Sequence, residues 1–162
     1  MSSVNIISPR LAEITCKCFG ESAFLMASVM DQKPQVHMGM KGLVIEYRGI
    51  HHGELVVYLS PETLSEMTLN MLGMNEPDIE LAIGMINDAI CEFGNLLIGH
   101  LLTDIYGEDQ DLRVGLPALI DEAVAPSYFN QYSNANEMDL TAHQTILLDV
   151  EGWPAVIEIR QK

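Results

Sequence analysis

Basic side chains are scarce in this chain: 8 lysines and arginines stand against 23 aspartates and glutamates, a formal net charge of −15. Nucleic-acid affinity depends on cations that release counterions from phosphates, so the balance argues against nucleic acid as a partner. It suits a soluble protein whose partner presents positive groups. Cysteine is scarce too. The three present are an odd number, and Cys16 and Cys18 stand two apart on a predicted helix, pointing to different sides. That spacing suits neither a disulfide nor a chelate, and fits a reducing cytoplasm. Long apolar runs are missing, since none approaches the roughly 18 residues that a membrane-inserted helix needs. The opening Met-Ser-Ser-Val-Asn has no basic region and no apolar signal core, so nothing there marks the chain for export. Low-complexity tracts, an interdomain linker and clear repeats are lacking as well, and the 162 residues are expected to form a single domain, 1–162.

What is present is enough apolar material for a core, 48% of residues, which rules out a disordered chain. The most patterned stretch runs from Pro77 to Tyr106. Ile79, Ile83, Ile86, Ile90, Phe93, Leu97 and Leu101 recur in steps of four and three, the stripe of a long amphipathic helix. With Asp88 set to zero on a helical wheel, that stripe clusters roughly 140–220° away. Glu92 and Asn95 fall at about 40° and −20°, on the outward side with Asp88, and Gly84 and Gly99 share that side. Glycine costs about 1 kcal/mol relative to alanine inside a helix. Two of them flanking three polar groups leave a shallow surface that a partner's backbone can approach closely.

The remaining elements follow from local signals. A first helix is predicted to start near Ser8-Pro9, serine capping and proline in the first turn, with Leu11, Ile14, Cys18, Leu25 and Val29 inward. Val36 to Tyr47 alternates loosely as a strand, with a phase shift at Gly42, and pairs across a turn at 49–53 with a strand over Glu54 to Leu59. Ser60-Pro61-Glu62 caps a helix that buries Leu64, Met67 and Met71 and stops at Gly73. Asp111 to Ile120 is predicted as a strand running into an extended segment, residues 121–140 as an exposed loop, and Thr145–Val150 with Ala155–Ile159 as a hairpin turning at Glu151-Gly152. The fold class implied is α/β (α+β): a mostly antiparallel sheet with long helices packed on one face.

These residues carry a family resemblance. Asp88-x3-Glu92-x2-Asn95, followed after 21 residues by Pro117, resembles the signature of the CheC/CheX/FliY chemotaxis phosphatases, although the spacing to proline is one shorter here. Glu92 to His100 is similar to the family's helix, Leu59 to Thr63 and Met71 to Gly73 to the segment before it, and Gly115 to Leu119 to the strand after it. The single Glu-x2-Asn copy resembles CheX rather than the two-site CheC. The resemblance implies a phosphatase acting on the phospho-aspartate of a CheY-like response regulator, which itself holds Mg²⁺ and a lysine at the phosphoryl group. The phosphatase then has to position a water. Asn95 would orient that water, by donating to it and accepting from it, and Glu92 would dock against the regulator's lysine. Asp88 and Gly99 would be substrate contacts, Pro117 structural support, and the phosphatase would hold no metal of its own. A homodimer joined through sheet edges is implied too.

Other readings compete. An Asp, a Glu and an Asn on the outer face of a helix are, without context, an ordinary solvated surface. The same fold could bind a regulator without hydrolysing anything, in a chemotaxis or flagellar complex, and a metal hydrolase would need a ligand cluster that the sequence does not offer. Cys91 has no activating histidine beside it. His51 and His52 are adjacent and point apart, and His100 with Asp104 reads as a helical i, i+4 pair.

Overall fold

An apolar run without alternation, Leu55 to Leu59, is satisfied at the centre of a sheet covered on both faces. The computed structural model, which describes residues 4–74, 83–109, 111–133 and 143–162, places it there. The elements are α1 (Val4–Ala23), β1 (Ala27–Val29), β2 (Lys41–Gly49), β3 (Gly53–Leu59), α2 (Pro61–Met71), α3 (Ile83–Tyr106), β4 (Leu112–Val114), β5 (Ala118–Ile120), α4 (Ala125–Ser133), β6 (His143–Val150) and β7 (Trp153–Gln161). The strands form one antiparallel sheet in the order β1-β6-β7-β3-β2-β4, with β5 also paired to β2. Side chains alternate across it. Leu55, Val57 and Leu59 meet α1, α2 and α3 in the main core, while Val56 and Tyr58 enter a second core under α4. The α+β class and the helix-covered face agree with the sequence; α4 on the opposite face does not.

Ser60 caps α2 as its chemistry dictates: its hydroxyl accepts from the Thr63 N–H, Pro61 opens the helix, and Gly73 leaves it at φ +68°. The closing hairpin turns on Glu151 and Gly152, both left-handed at φ +51° and +92°, the conformation a tight two-residue connection requires.

The departures have identifiable causes. α1 begins at Val4, so Pro9 lies inside the helix rather than at its first turn. It ends sooner than the pattern suggests. Phe24 adopts φ +56°, and the Leu25 N–H donates to the Phe19 carbonyl at 3.1 Å, a seven-residue closure that ends the helix with a left-handed residue. With a phenylalanine where glycine normally signals the stop, the end was invisible in sequence. Leu25 is buried as expected, but Val29 lies exposed on β1. Phe24 is 70% exposed, so its left-handed backbone is offset by little packing. Phe24→Gly is expected to raise stability by about 1 kcal/mol. An unchanged or lower denaturation midpoint would show that the exposed ring contributes more than the backbone strain costs.

β2 starts at Lys41 rather than Val36, because Gly39 at φ +88° turns the chain just before it. The predicted strand over 111–120 is split. Between the β4 and β5 pairings, Gly115, Leu116 and Pro117 stand opposite only Ile45 and Glu46 of β2, a bulge of one extra residue. Proline has no N–H for the ladder, and the Gly115 N–H donates to the Glu46 carbonyl at 2.7 Å. Within 121–140, residues 125–133 are helical. Asp121 accepts the first N–H groups through its carbonyl, Pro126 sits in the first turn, and Ala125 and Phe129 anchor the helix on Tyr58. Residues 134–140 lie outside the described residues.

Candidate functional site

α3 is held by two features of its buried side. Ile90, Phe93, Leu97 and Leu101 fill the main core, with Phe93 against Phe19 at 4.5 Å between ring centroids. Gly94 lets the helix lie directly on β2: a Cβ there would stand 2.2 Å from Leu43 Cδ2 and 3.0 Å from Ile45 Cδ1. Both neighbours are fully buried. Gly94→Ala therefore trades a helix-propensity gain of about 1 kcal/mol for an overpacking cost of about 1–3 kcal/mol. A net loss that lowers the melting temperature by about 5 °C is expected. A rise would mean that β2 accommodates the methyl. The first turn of α3 overhangs the packed face. Ile83, expected inward, is 73% exposed, Ile86 is half-buried, and Ile79 lies outside the described residues.

The outward face carries what the wheel placed there. Gly84, Asp88, Glu92, Asn95 and Gly99 are all exposed. A Cβ at Gly84 or Gly99 would meet nothing within 4 Å, so the row stands on open surface. Among the described residues, Asp88, Glu92 and Asn95 have no hydrogen-bond or ion-pair partner. None of the described cavities is lined by them; the one beside α1, of about 460 Å³, is lined by Ile14, Cys18, His100 and Asp104 among others. Pro117 is not in the row. It is half-buried in the β4–β5 bulge, one strand beyond β2.

The competing candidates resolve into structure. Burial pushes the Cys91 thiol up, Asp88 adds to this and Lys41 opposes it, so at neutral pH the group is a thiol rather than a nucleophilic thiolate. His51 stacks on the Tyr106 ring, 4.2 Å between centroids. Asp104 pairs with Arg10 rather than His100: the guanidinium Nε lies 3.0 and 3.1 Å from the two carboxylate oxygens. That hydrogen bond holds the Asp104 carboxyl below the usual range. Among the described residues no three His, Cys, Asp or Glu side chains are disposed to hold a metal ion, and no helix is long and apolar enough to cross a membrane. One neighbour of the row had no sequence signal at all. Lys41 Nζ donates to Asn87 Oδ1 at 2.5 Å, joining the start of β2 to the flank of α3 beside Asp88.

With the fold and the helix row described, a family model gives the class of protein. The model described as "Chemotaxis phosphatase CheX" matches residues 42–133, more than half of the chain. The chain belongs to the chemotaxis phosphatase CheX family. The fold agrees. Chemotaxis protein CheX from Vibrio vulnificus is similar over 96% of both chains, with a TM-score of 0.69 at 15% identity. A CheX from Desulfovibrio desulfuricans gives 0.70 at 15% identity over 97% of this chain and 99% of its own. A CheX–CheY–BeF3–Mg²⁺ complex from Borrelia burgdorferi gives 0.60 at 10% identity, over 95% of this chain and 96% of that one. Comparison with curated proteins gave no match.

Proposed function

We propose that this protein is a phosphatase that hydrolyses the phospho-aspartate of a CheY-like response regulator. The observation that carries the reading is the unpartnered, exposed row Asp88, Glu92 and Asn95 on a helix flanked by bare glycines, in a chain of the CheX family. The Borrelia complex, in which a CheX is joined to CheY with BeF3 and Mg²⁺, supports a receiver as the partner.

In this reading the receiver supplies its own Mg²⁺ and lysine, which compensate charge on the phosphoryl oxygens. The protein contributes position. The Asn95 amide, free of internal hydrogen bonds among the described residues, can donate to and accept from a water and hold it in line with the scissile P–O bond. Glu92, one turn earlier, docks on the receiver's lysine and fixes the register. Asp88 meets the rim, and Gly99 gives room for the receiver's backbone. Pro117 supports the site only indirectly, by setting the bulge that shapes the edge beside β2. The protein works in the cytoplasm, as a homodimer joined through sheet edges, which equilibrium sedimentation would test.

The rival is a module of the same fold that binds the receiver without hydrolysing it. Titrating the protein with a CheY-like receiver in its phosphorylated and unphosphorylated forms separates the two. A phosphatase is expected to bind the phosphorylated form more tightly and to shorten its lifetime. Equal binding of both forms, with an unchanged lifetime, favours the noncatalytic module.

A further inference from the structure

A row containing two carboxylates has an electrostatic difficulty. A receiver pocket that holds Mg²⁺ does so with carboxylates of its own, so two acidic surfaces must meet around the phosphoryl group. Glu92 finds one lysine there, but the flank of Asp88 has no such answer in the helix itself: α3 from Ile83 to Gly99 contains no lysine or arginine. A cation beside it comes from the sheet instead. Lys41, the first residue of β2, is half-buried and makes no ion pair among the described residues. Its ammonium is held on Asn87 Oδ1, adjacent in sequence to Asp88. One turn further on, the Cys91 thiol experiences both the Asp88 and the Lys41 charges, which agrees with an ammonium on the Asn87–Cys91 side of Asp88. Its neighbour in the register, Leu59, offers no competing carboxylate.

We infer that Lys41, fixed by Asn87, is a docking residue of this site: the cation that meets the carboxylates around the phosphoryl group of an acidic receiver. The inference rests on the receiver reading given above and extends it to a residue outside the helix. Asn87 then has a positioning role. By accepting from the ammonium it holds the long side chain in one place, so less side-chain freedom is lost when the receiver arrives. The two remaining hydrogens of the ammonium are left for the partner.

The test is steady-state dephosphorylation of a CheY-like receiver over a range of salt, with Lys41→Met, Lys41→Arg and Asn87→Leu. Lys41→Met keeps the stem and removes the charge. It is expected to raise KM about five- to tenfold, leave kcat within about twofold and flatten the salt dependence of kcat/KM. Lys41→Arg should restore most of the affinity. Asn87→Leu should raise KM less, and should add nothing in the Lys41→Met background, since the two act as one unit. An unchanged KM and salt dependence in a Lys41→Met protein that melts like wild type would overturn the inference. So would a loss confined to kcat. If wild type stimulates no dephosphorylation, the phosphatase reading fails on its own. The same variants are then titrated with beryllium fluoride-treated receiver, where an unchanged affinity in Lys41→Met would overturn the docking role and a five- to tenfold loss would sustain it.

Discussion

Replacing Asn95 with alanine is expected to cut the stimulated loss of a receiver's acyl phosphate by about 10²-fold or more, while binding of the phosphorylated receiver stays within a fewfold of wild type. The reasoning is one of division of labour. Asn95 is exposed and unpartnered among the described residues, so its removal disturbs no packing. What disappears is the one neutral group able both to donate to and accept from a water; carboxylates can only accept. An effect on kcat without one on KM marks an interaction made at the transition state. Glu92→Ala should behave in the opposite sense. Its carboxylate serves docking, so KM should rise and kcat at saturation should recover in part. Asn95→Ala with wild-type kcat would remove the water-orienting role whatever Glu92 does.

The second large effect lies on the other face of the sheet. Arg160 on β7 is buried and sits between two buried carboxylates, with Nη2 2.5 Å from Glu158 Oε2 and Nη1 3.3 Å from Glu54 Oε1. His143 Nε2 reaches the same Glu158 oxygen at 2.9 Å, and the guanidinium carbon lies 5.4 Å from the centre of the Tyr128 ring of α4. An intact buried pair contributes little net, because the charges have lost their water. Removing one member is different, since the charge left behind has no solvent to return to. Arg160→Met is expected to destabilise the fold by about 3–5 kcal/mol, roughly 10 °C in melting temperature for a chain of this size. Adding Glu158→Gln should recover at least half of that loss, by removing the uncompensated charge. A mild single substitution, or a double no better than the single, would show that Glu158 is solvated through another route. Because the cluster lies on the face opposite α3, kcat per folded molecule should not change.

That cluster also marks where the sequence ceases to be legible. Glu54, Glu158 and Arg160 alternate with apolar residues, which ordinarily means an exposed strand face. They are buried because α4 crosses that face, and among the described residues α4 is anchored by Ala125 and Phe129, with Tyr128 packed partly beside them, in a short helix of otherwise mostly polar residues. Their i, i+3, i+4 spacing spans little more than one turn, too short to stand out as a periodic pattern. Asp121 followed by Pro126 in the first turn was the available signal. β1 hides for a related reason: three residues after a left-handed phenylalanine give neither alternation nor a glycine stop. The legible parts had local chemistry that leaves few options. These are the Ser60-Pro61 cap, the left-handed Glu151-Gly152 turn, the glycine-flanked β2–β3 hairpin and the 3.6-residue period of α3. The outward row could be read from that period alone, since a helix cannot bury Ile90, Phe93 and Leu97 without turning Asp88, Glu92 and Asn95 to solvent. Lys41 could not. Its approach to Asn87 joins residues 46 apart, and depends on how closely Gly94 lets α3 settle on β2.

The most direct measurement is the rate of acyl-phosphate loss from a CheY-like receiver with Mg²⁺ present and this protein at substoichiometric concentration. A phosphatase should discharge many receivers per molecule, giving a rate that rises in proportion to the protein added and saturates with receiver. If the lifetime of the phosphoryl group is the same with and without the protein, under conditions where the two demonstrably bind, the protein is a binding module and the assignment of Asn95 to water orientation falls with the activity.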